Sequence, residues 1–148
     1  MSIITRLNED LKTAMKAKDQ AALRSIRAIK AAITLASTDG SGKEVDDTRV
    51  ISIVQKQIKQ RMDSLEIYEK QGRDDLAQIE KEEVAVIRRY LPEQMSTEDL
   101  EAFIKNLVEE LGADGMKDMG RVMGVASGKL AGKADGKAIA GIVRQLLS

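Results

Sequence analysis

The chain has 148 residues, with 24 basic and 24 acidic side chains and neither cysteine nor histidine. This composition excludes disulfide frameworks, thiol nucleophiles, zinc sites of the usual kind and any mechanism that needs an imidazole base. Two tyrosines, one phenylalanine and one proline accompany many Ala, Ile, Leu, Lys, Glu and Gln residues, so we expect an all-α protein.

The first two predicted helices have apolar residues at steps of three and four. Ser2 and Asp19 are the candidate N-caps, and the first helix ends near Ala17. The polar and glycine-rich stretch 37–42 predicts an exposed loop after the second helix. The apolar positions that we expect in the core are Ile3, Leu7, Leu11, Met15, Leu23, Ile26, Ile29 and Ile33.

The third and fourth predicted helices follow this loop. The third spans about 47–71 and stops at Gly72, and the fourth begins at Asp74 or Asp75. Pro92 ends the fourth helix, because proline disfavours helix in the residue before it and cannot continue the hydrogen-bond ladder. The expected core positions are Val50, Ile51, Val54, Ile58, Met62, Leu65, Leu76, Ile79, Val86, Ile87, Tyr90 and Leu91.

Three shorter helices are predicted after the proline. The segment Ser96-Thr-Glu-Asp99 has the spacing of a capping box and opens a fifth helix that ends at Gly112. Asp118 and Asp135 are candidate caps of a sixth and a seventh helix. The expected core positions are Leu100, Phe103, Ile104, Leu107, Val108, Leu111, Ile139, Ile142, Val143 and Leu146.

The net charge is zero for the whole chain but changes along it. Residues 1–91 carry seventeen Lys and Arg against fifteen Asp and Glu, 92–114 carry one against seven, and 115–148 carry six against two. The change begins at the proline, so we predict domains 1–92 and 93–148. No apolar run approaches the roughly 20 residues that cross a bilayer, and the N-terminus lacks a basic and apolar leader. We therefore expect a soluble, cytoplasmic protein without a membrane partner.

Glycine recurs at steps of four in the C-terminal segment, at Gly120, Gly124, Gly128, Gly132 and Gly136. Residues four apart share one helix face, where glycine lets another backbone or a ligand approach closely. Each such glycine costs a helix about 1 kcal/mol relative to alanine. The candidate cap at Asp135 divides the series between two short helices, with a connection at 129–134. Close crossing of helices and ligand binding both explain the pattern.

Basic residues supply candidate phosphate contacts. They are Arg121, Lys129, Lys133, Lys137 and Arg144 in the C-terminal segment, and Arg24, Arg27 and Lys30 as a stripe on the second helix. Cations on a rigid helix can match the charges of a nucleic-acid backbone, although a solvated charged face has the same pattern. Three aromatic residues are too few for a base-stacking platform, so any bound RNA should be recognised by backbone and shape.

No catalytic or metal-binding motif is complete. The segment 124–130 resembles a phosphate loop, but three residues instead of four separate its glycines, and Leu130 replaces the magnesium-binding Ser or Thr. The acidic pairs at 46–47, 74–75 and 82–83 are explained by helix dipoles and solubility. We therefore expect no catalytic residues, no metal, no cofactor and no enzymatic activity.

Several short motifs together resemble the YqeY family. The run Gly120-Arg-Val-Met-Gly124, the run Gly132-Lys-Ala-Asp135 and the apolar positions that follow are similar to the family's C-terminal signature. They also resemble the tail domain of the B subunit of GatCAB, the glutamine-dependent aminoacyl-tRNA amidotransferase. Tyr90-Leu-Pro-Glu-Gln94, Lys59-Gln-Arg-Met-Asp-Ser-Leu65 and the chain length resemble the free-standing YqeY form.

The resemblance implies an N-terminal helical bundle of about four helices and a small C-terminal three-helix domain. In the amidotransferase, the related tail helps to hold tRNA and carries none of the chemistry. The positions that match the signature include Gly120, Gly124, Gly132 and Asp135, and the resemblance favours Lys129 and Lys133 as RNA contacts. We therefore expect a non-catalytic tRNA-binding or tRNA-associated protein of translation, with no DNA partner.

Two alternatives have different functions. One is an adaptor that docks on an amidotransferase or an aminoacyl-tRNA synthetase through the glycine-stepped face. The other, supported only by the family resemblance, is a glutamine-dependent carbon–nitrogen ligase.

Overall fold

The computed structural model describes residues 1–42 and 44–148, and these residues form helices without any strand. The chain divides into a first unit, Met1–Leu91, and a second unit, Pro92–Ser148. The sequence placed the boundary one residue later. The helices are α1 (Ile3–Ala17), α2 (Gln20–Ser37), α3 (Asp47–Lys70), α4 (Asp74–Ile87), α5 (Thr97–Leu111), α6 (Met119–Lys129) and α7 (Gly136–Leu147). The all-α prediction, with four helices and then three, is confirmed.

Five of the seven α-helices in the described ranges begin at a side-chain cap. The predicted caps accept hydrogen bonds from backbone N–H groups three residues later, and they are Ser2, Asp19, Ser96 and Asp135. Asp46 caps α3 by accepting from the N–H of Arg49 at 2.9 Å. At the end of α5, Gly112 has φ +63°, a left-handed conformation that glycine adopts without strain.

The prediction that the Asp118 side chain caps α6 is wrong. Asp118 lies in a short 3₁₀ turn, Met116–Asp118, with φ −94° and ψ 0°. A capping residue normally has an extended backbone that aims its side chain at the first turn of the helix. The Asp118 carboxylate instead accepts from the N–H of Asp114 at 3.2 Å.

The core of the first unit lies between α1, α2, the beginning of α3, and the end of α4. Met15 is 51% exposed, against the prediction, while Ala14 is 4% exposed. A step of four residues advances about 400° around a helix, so an apolar series at that step drifts by about 40° each time. Ala14 returns to within about 20° of Ile3, whereas Met15 lies about 120° from it.

Two other predicted core residues of the first unit are exposed, Met62 at 40% and Ile79 at 41%. The buried residues of α3 are Val50 and Val54, in its first third. Farther along, α3 packs mainly against α4, so one side of this helical hairpin remains in water.

The core of the second unit is formed by α5, α6 and α7. In α7 the structure buries Ile139, Val143 and Leu147, while the predicted core residue Leu146 is 40% exposed. The buried face is centred on Val143, with Ile139 and Leu147 about 40° to either side and Leu146 about 60° away. Across the described ranges, no helix combines the length and the apolar character that a membrane span requires.

Candidate nucleic-acid interface

Residues 129–135, the lysine turn, connect α6 to α7. Leu130 is 2% exposed and inserts into the core of the second unit. The N–H of Lys133 donates to the Leu130 carbonyl at 2.9 Å, and Gly132 between them has φ +79°. Asp135 then caps α7. The backbone of the turn is therefore fixed at both ends by burial and hydrogen bonds.

Residues 92–95, at the start of the second unit, form hydrogen bonds with the backbone of the lysine turn. Gln94 Nε2 donates to the Gly132 carbonyl at 2.6 Å and to the Pro92 carbonyl at 2.8 Å. The N–H of Met95 donates to the Lys133 carbonyl at 3.0 Å. The two motifs around Pro92 and Gly132, distant in sequence, thus form one structural site.

Reasoning from the sequence did not give Gln94 a role in the site. Its partner carbonyl lies 38 residues away in the chain, and backbone acceptors leave no mark in the side-chain pattern. The available signal was its position in the Tyr90–Gln94 motif, two residues after Pro92.

Three predicted contact residues lie on or next to the lysine turn. Lys129 ends α6, Lys133 lies within the turn, and Lys137 lies in the first turn of α7. All three are exposed, and none has an ion-pair partner in the part of the chain that the structure describes. Their ammonium groups are therefore available to an external anion, while the main chain that carries them is held in place.

The two predicted arginines of the second unit have different surroundings. Arg121, on α6, lies with Nη2 3.5 Å from Asp118 Oδ1 and is 51% exposed. A pair this long and this exposed contributes little to stability and competes weakly with a phosphate. Arg144 is exposed in the last turn of α7.

The predicted glycine series lies on the solvent side of α6 and does not continue into α7 as one face. Gly120, Gly124 and Gly128 are exposed, and a Cβ added to any of them would meet no atom of the described residues within 4 Å. The same holds for Gly136 at the start of α7. Close crossing of helices within the second unit is therefore the wrong explanation for these four glycines.

The basic stripe of α2 belongs to the first unit, where Arg24 binds two carboxylates of α4. Its Nη2 lies 3.3 Å from Glu82 Oε2, and its Nε lies 3.4 Å from Glu83 Oε1. Glu83 also pairs with Arg61 of α3 at 3.2 Å. Arg24 thus joins α2 to α4. The other members of the stripe are Arg27, which is exposed, and Lys30, which is half-buried.

A second polar cluster lies near the end of the first unit. Tyr90 is 2% exposed, and its hydroxyl donates a hydrogen bond to the Asp10 carboxylate. The Arg6 guanidinium lies 5.2 Å from the centroid of the Tyr90 ring. Burial, followed by the hydrogen bond to Asp10, raises the pKa of Tyr90 well above its ordinary value. Arg6 also donates to the carbonyl of Arg89 at 3.0 Å. The cluster joins α1 to the residues that follow α4.

The acidic residues in the described ranges form no cluster of three or more that could hold a metal ion. Of the acidic pairs, Glu82, Glu83 and Asp75 bind arginine side chains, whereas Asp46 and Asp47 accept hydrogen bonds from backbone N–H groups. Cationic side chains and backbone are therefore the chemical groups that the candidate interface presents.

Comparisons with known proteins agree with the motifs of both units. A family model described as Yqey-like protein matches residues 4–147. Relatives include the protein named Altered inheritance of mitochondria protein 41, mitochondrial, from three fungi. The Lachancea thermotolerans protein is 34% identical over 110 residues, which cover 73% of this chain and 59% of that protein.

The same protein of Pyrenophora tritici-repentis is 34% identical over 125 residues, covering 82% of this chain and 67% of the relative. That of Meyerozyma guilliermondii is 40% identical over 88 residues, covering 60% of this chain and 46% of the relative. The chain thus matches about half to two thirds of the length of these relatives.

Proposed function

Because the chain belongs to the YqeY family, we propose that it is a non-catalytic protein that binds tRNA through its second unit. Family membership, expected from the motifs, is shown by a match that covers residues 4–147. The observation that carries the proposal is that Lys129, Lys133 and Lys137 lie on and beside one fixed turn, without an ion-pair partner among the described residues.

Unpaired cations on a fixed backbone favour binding to phosphate. Neutralising a phosphate with Lys133 releases condensed counterions from the RNA and breaks no ion pair between described residues. The hydrogen bond from Met95 to the Lys133 carbonyl already orders the main chain, so less conformational entropy is lost on binding.

The exposed face of α6 that carries the glycines, which we call the bare face of α6, supports the same proposal. Without Cβ atoms at Gly120, Gly124 and Gly128, a ribose or phosphate can approach the helix backbone beside Arg121. The glycines lower the stability of α6, and a Cβ at any of these positions would meet no neighbouring described atom, so packing does not require glycine there. Close approach of a bound ligand gives these residues a function.

The proposed recognition is of RNA shape and backbone. Phe103 is the aromatic residue of the second unit, and it is half-buried against the core, so the lysine turn has no base-stacking platform. We further propose that the protein acts in the cytoplasm, where folded tRNA is available. The relatives carry the word mitochondrial in their names.

The test is tRNA binding by fluorescence anisotropy over a series of salt concentrations. The parent chain should bind folded tRNA at micromolar concentration or tighter, with an affinity that falls steeply as salt increases. Combined Lys129→Ala, Lys133→Ala and Lys137→Ala substitutions should weaken binding about tenfold to a hundredfold and lower the salt slope by about 2 to 3.

A matched control removes the same charge elsewhere. Lys12, Lys16 and Lys56 are exposed lysines of the first unit, and their combined change to alanine should alter affinity less than about threefold. No binding by the parent, binding that does not depend on salt, or equal losses in the two triple variants would each contradict the proposal. A duplex DNA of similar length tests the preference for RNA.

A further inference from the structure

A surface groove of about 540 Å³ lies between α5 and α7 in the second unit. Its apolar part is formed by Ala102, Ile142 and Leu146, and its charged edge includes Glu98, Glu101 and Lys105. None of these residues belongs to the lysine turn or to the glycine face of α6. The groove is therefore a separate feature of the unit.

The apolar part of the groove includes side chains of α7 that the core of the unit does not fully bury. Leu147 closes the core at 6% exposure, which leaves the adjacent Leu146 40% exposed and Ile142 half-buried. Two branched apolar side chains one turn apart thus line an open groove. Such an arrangement is typical of a contact surface for another apolar side chain.

The charge at the edge of the groove is negative. Glu98 and Glu101 lie one turn apart on α5, whose charged residues are five carboxylates and the single cation Lys105. No side chain of α5 forms an ion pair with another described residue. These carboxylates repel phosphate and attract a cation, so the groove does not suit RNA.

We propose that the groove binds a basic amphipathic helix of a partner protein. Apolar side chains at successive turns of that helix contact Ile142 and Leu146, while a Lys or Arg beside them pairs with Glu98 or Glu101. Seven residues line the groove, against the roughly 20–30 residues that each partner contributes to a standard interface, so the contact is weak and reversible. The inference does not depend on tRNA binding.

The experiment selects displayed random 16-residue peptides on the full chain and removes peptides that also bind the Leu146→Glu variant. Selected peptides should be basic, with apolar residues at helical spacings i, i+3 or i+4, and i+7. A fluorescent copy of the best peptide should bind the parent at micromolar concentration. In an NMR titration, its signal changes should centre on Ala102, Ile142 and Leu146.

The selection already makes the peptide depend on Leu146, so the test is the combined Glu98→Gln and Glu101→Gln variant, in which its affinity should fall at least tenfold. Two controls should leave it within about twofold. One is Leu35→Glu, which changes an exposed leucine of the first unit. The other is Glu109→Gln combined with Glu110→Gln, which changes carboxylates of α5 outside the groove. The glutamine variants keep side-chain size, so they remain informative if Leu146→Glu fails to fold.

Acidic or uncharged selected peptides, or equal binding to the groove variants and the controls, would overturn the proposal. So would a dimer of the parent that Leu146→Glu dissociates, because the groove would then belong to a second copy. The triple lysine variant separates the two proposals: it should lose tRNA binding and keep peptide binding.

Discussion

The two units differ in how they use their basic side chains. In the first unit, Arg24 and Arg61 both bind Glu83, so these cations are neutralised within the fold. In the second unit, Lys129 and Lys133 extend from a fixed turn without a carboxylate partner among the described residues. Basic residues therefore stabilise helix packing at Arg24 and Arg61, and those of the lysine turn remain available for a ligand.

This difference shows why spacing alone is a weak guide to a binding surface. The stripe at Arg24, Arg27 and Lys30 has a regular helical step, yet Arg24 would have to give up contacts with Glu82 and Glu83 to bind a phosphate. The exchange of one anion for another reduces the net gain. The ion-pair partners in the structure distinguish Arg24 from Lys129 and Lys133, which periodicity alone does not do.

The largest expected effect is on the paired cations of the first unit. Glu83→Ala should lower the free energy of unfolding by about 2–3 kcal/mol, because it leaves two arginines near the protein surface without their shared carboxylate. Glu83 and Arg61 are only 14% and 15% exposed, so water replaces the lost contact poorly. Urea denaturation followed by circular dichroism measures the change.

Two controls sharpen this prediction. The neighbouring Glu82→Ala should cost less than about 1 kcal/mol, because that ion pair is 41% and 43% exposed. Lys133→Ala in the second unit should change stability by less than about 0.5 kcal/mol. If Glu83→Ala and Lys133→Ala had equal effects, the distinction between neutralised and available cations would be wrong.

The second prediction concerns alkaline pH and the buried hydroxyl of Tyr90. Its pKa is raised above the ordinary value of 10.0, chiefly by burial and then by the hydrogen bond to Asp10. Above pH 10 the unfolded chain loses this proton while the folded chain keeps it, so the unfolded state binds fewer protons and stability falls as pH rises. Above that pH, this group lowers the free energy of unfolding by up to about 1.4 kcal/mol per pH unit.

Tyr90→Phe isolates that contribution. The variant should be about 1 kcal/mol less stable than the parent near pH 8, because the hydroxyl contact with Asp10 is lost. The difference should shrink and reverse as pH rises beyond 10, since phenylalanine has no proton to lose. Parallel stability curves for the two proteins between pH 9 and pH 11 would contradict the assignment.

The helices and their caps could be predicted from the sequence, because both depend on residues close together in the chain. Which side of a helix is buried depends instead on packing against other helices. The apolar spacing predicted burial of Met15 and Leu146, but Ala14 and Leu147 are buried in their places. In both helices two apolar residues are adjacent in the sequence, and the contacts with neighbouring helices decide which of the two is buried. The hydrogen bonds of Gln94 were equally out of reach, since they end on backbone carbonyls that carry no sequence signal.

The third prediction tests whether order in the lysine turn matters for binding. Gln94→Ala removes the hydrogen bond to the Gly132 carbonyl and should destabilise the second unit by about 1 kcal/mol. Backbone amide exchange at Gly132 and Lys133 should become faster. Affinity for tRNA should fall about threefold to tenfold under conditions where the unit remains folded, because a looser turn loses more entropy on binding.

Glu93→Ala is the matched control, because Glu93 is the exposed neighbour of Gln94 and its removal leaves the hydrogen bonds of Gln94 and Met95 to the lysine turn intact. It should leave amide exchange in the turn unchanged, and the loss of a negative charge should, if anything, strengthen RNA binding slightly. Faster exchange in Gln94→Ala without a change in affinity would show that the turn positions no RNA contact.

The smallest expected effects come from replacing glycines of α6, which should raise stability and weaken tRNA binding. Gly124→Ala and Gly128→Ala should each stabilise the second unit by about 0.5–1 kcal/mol, since alanine favours helix and the added methyl group meets no described atom. Gly112→Ala should instead destabilise it by about 1 kcal/mol, because that residue has φ +63°. Thermal unfolding distinguishes the two outcomes.

The same alanine variants should bind tRNA about twofold to fivefold more weakly if the bare face of α6 contacts RNA, because each methyl group holds the ligand away from the helix backbone. A gain in stability together with a loss in affinity would show that these glycines serve binding and not folding. Increased stability with unchanged affinity would confine the RNA contacts to the lysine turn. In that case the difference between the units would rest on the unpaired lysines alone.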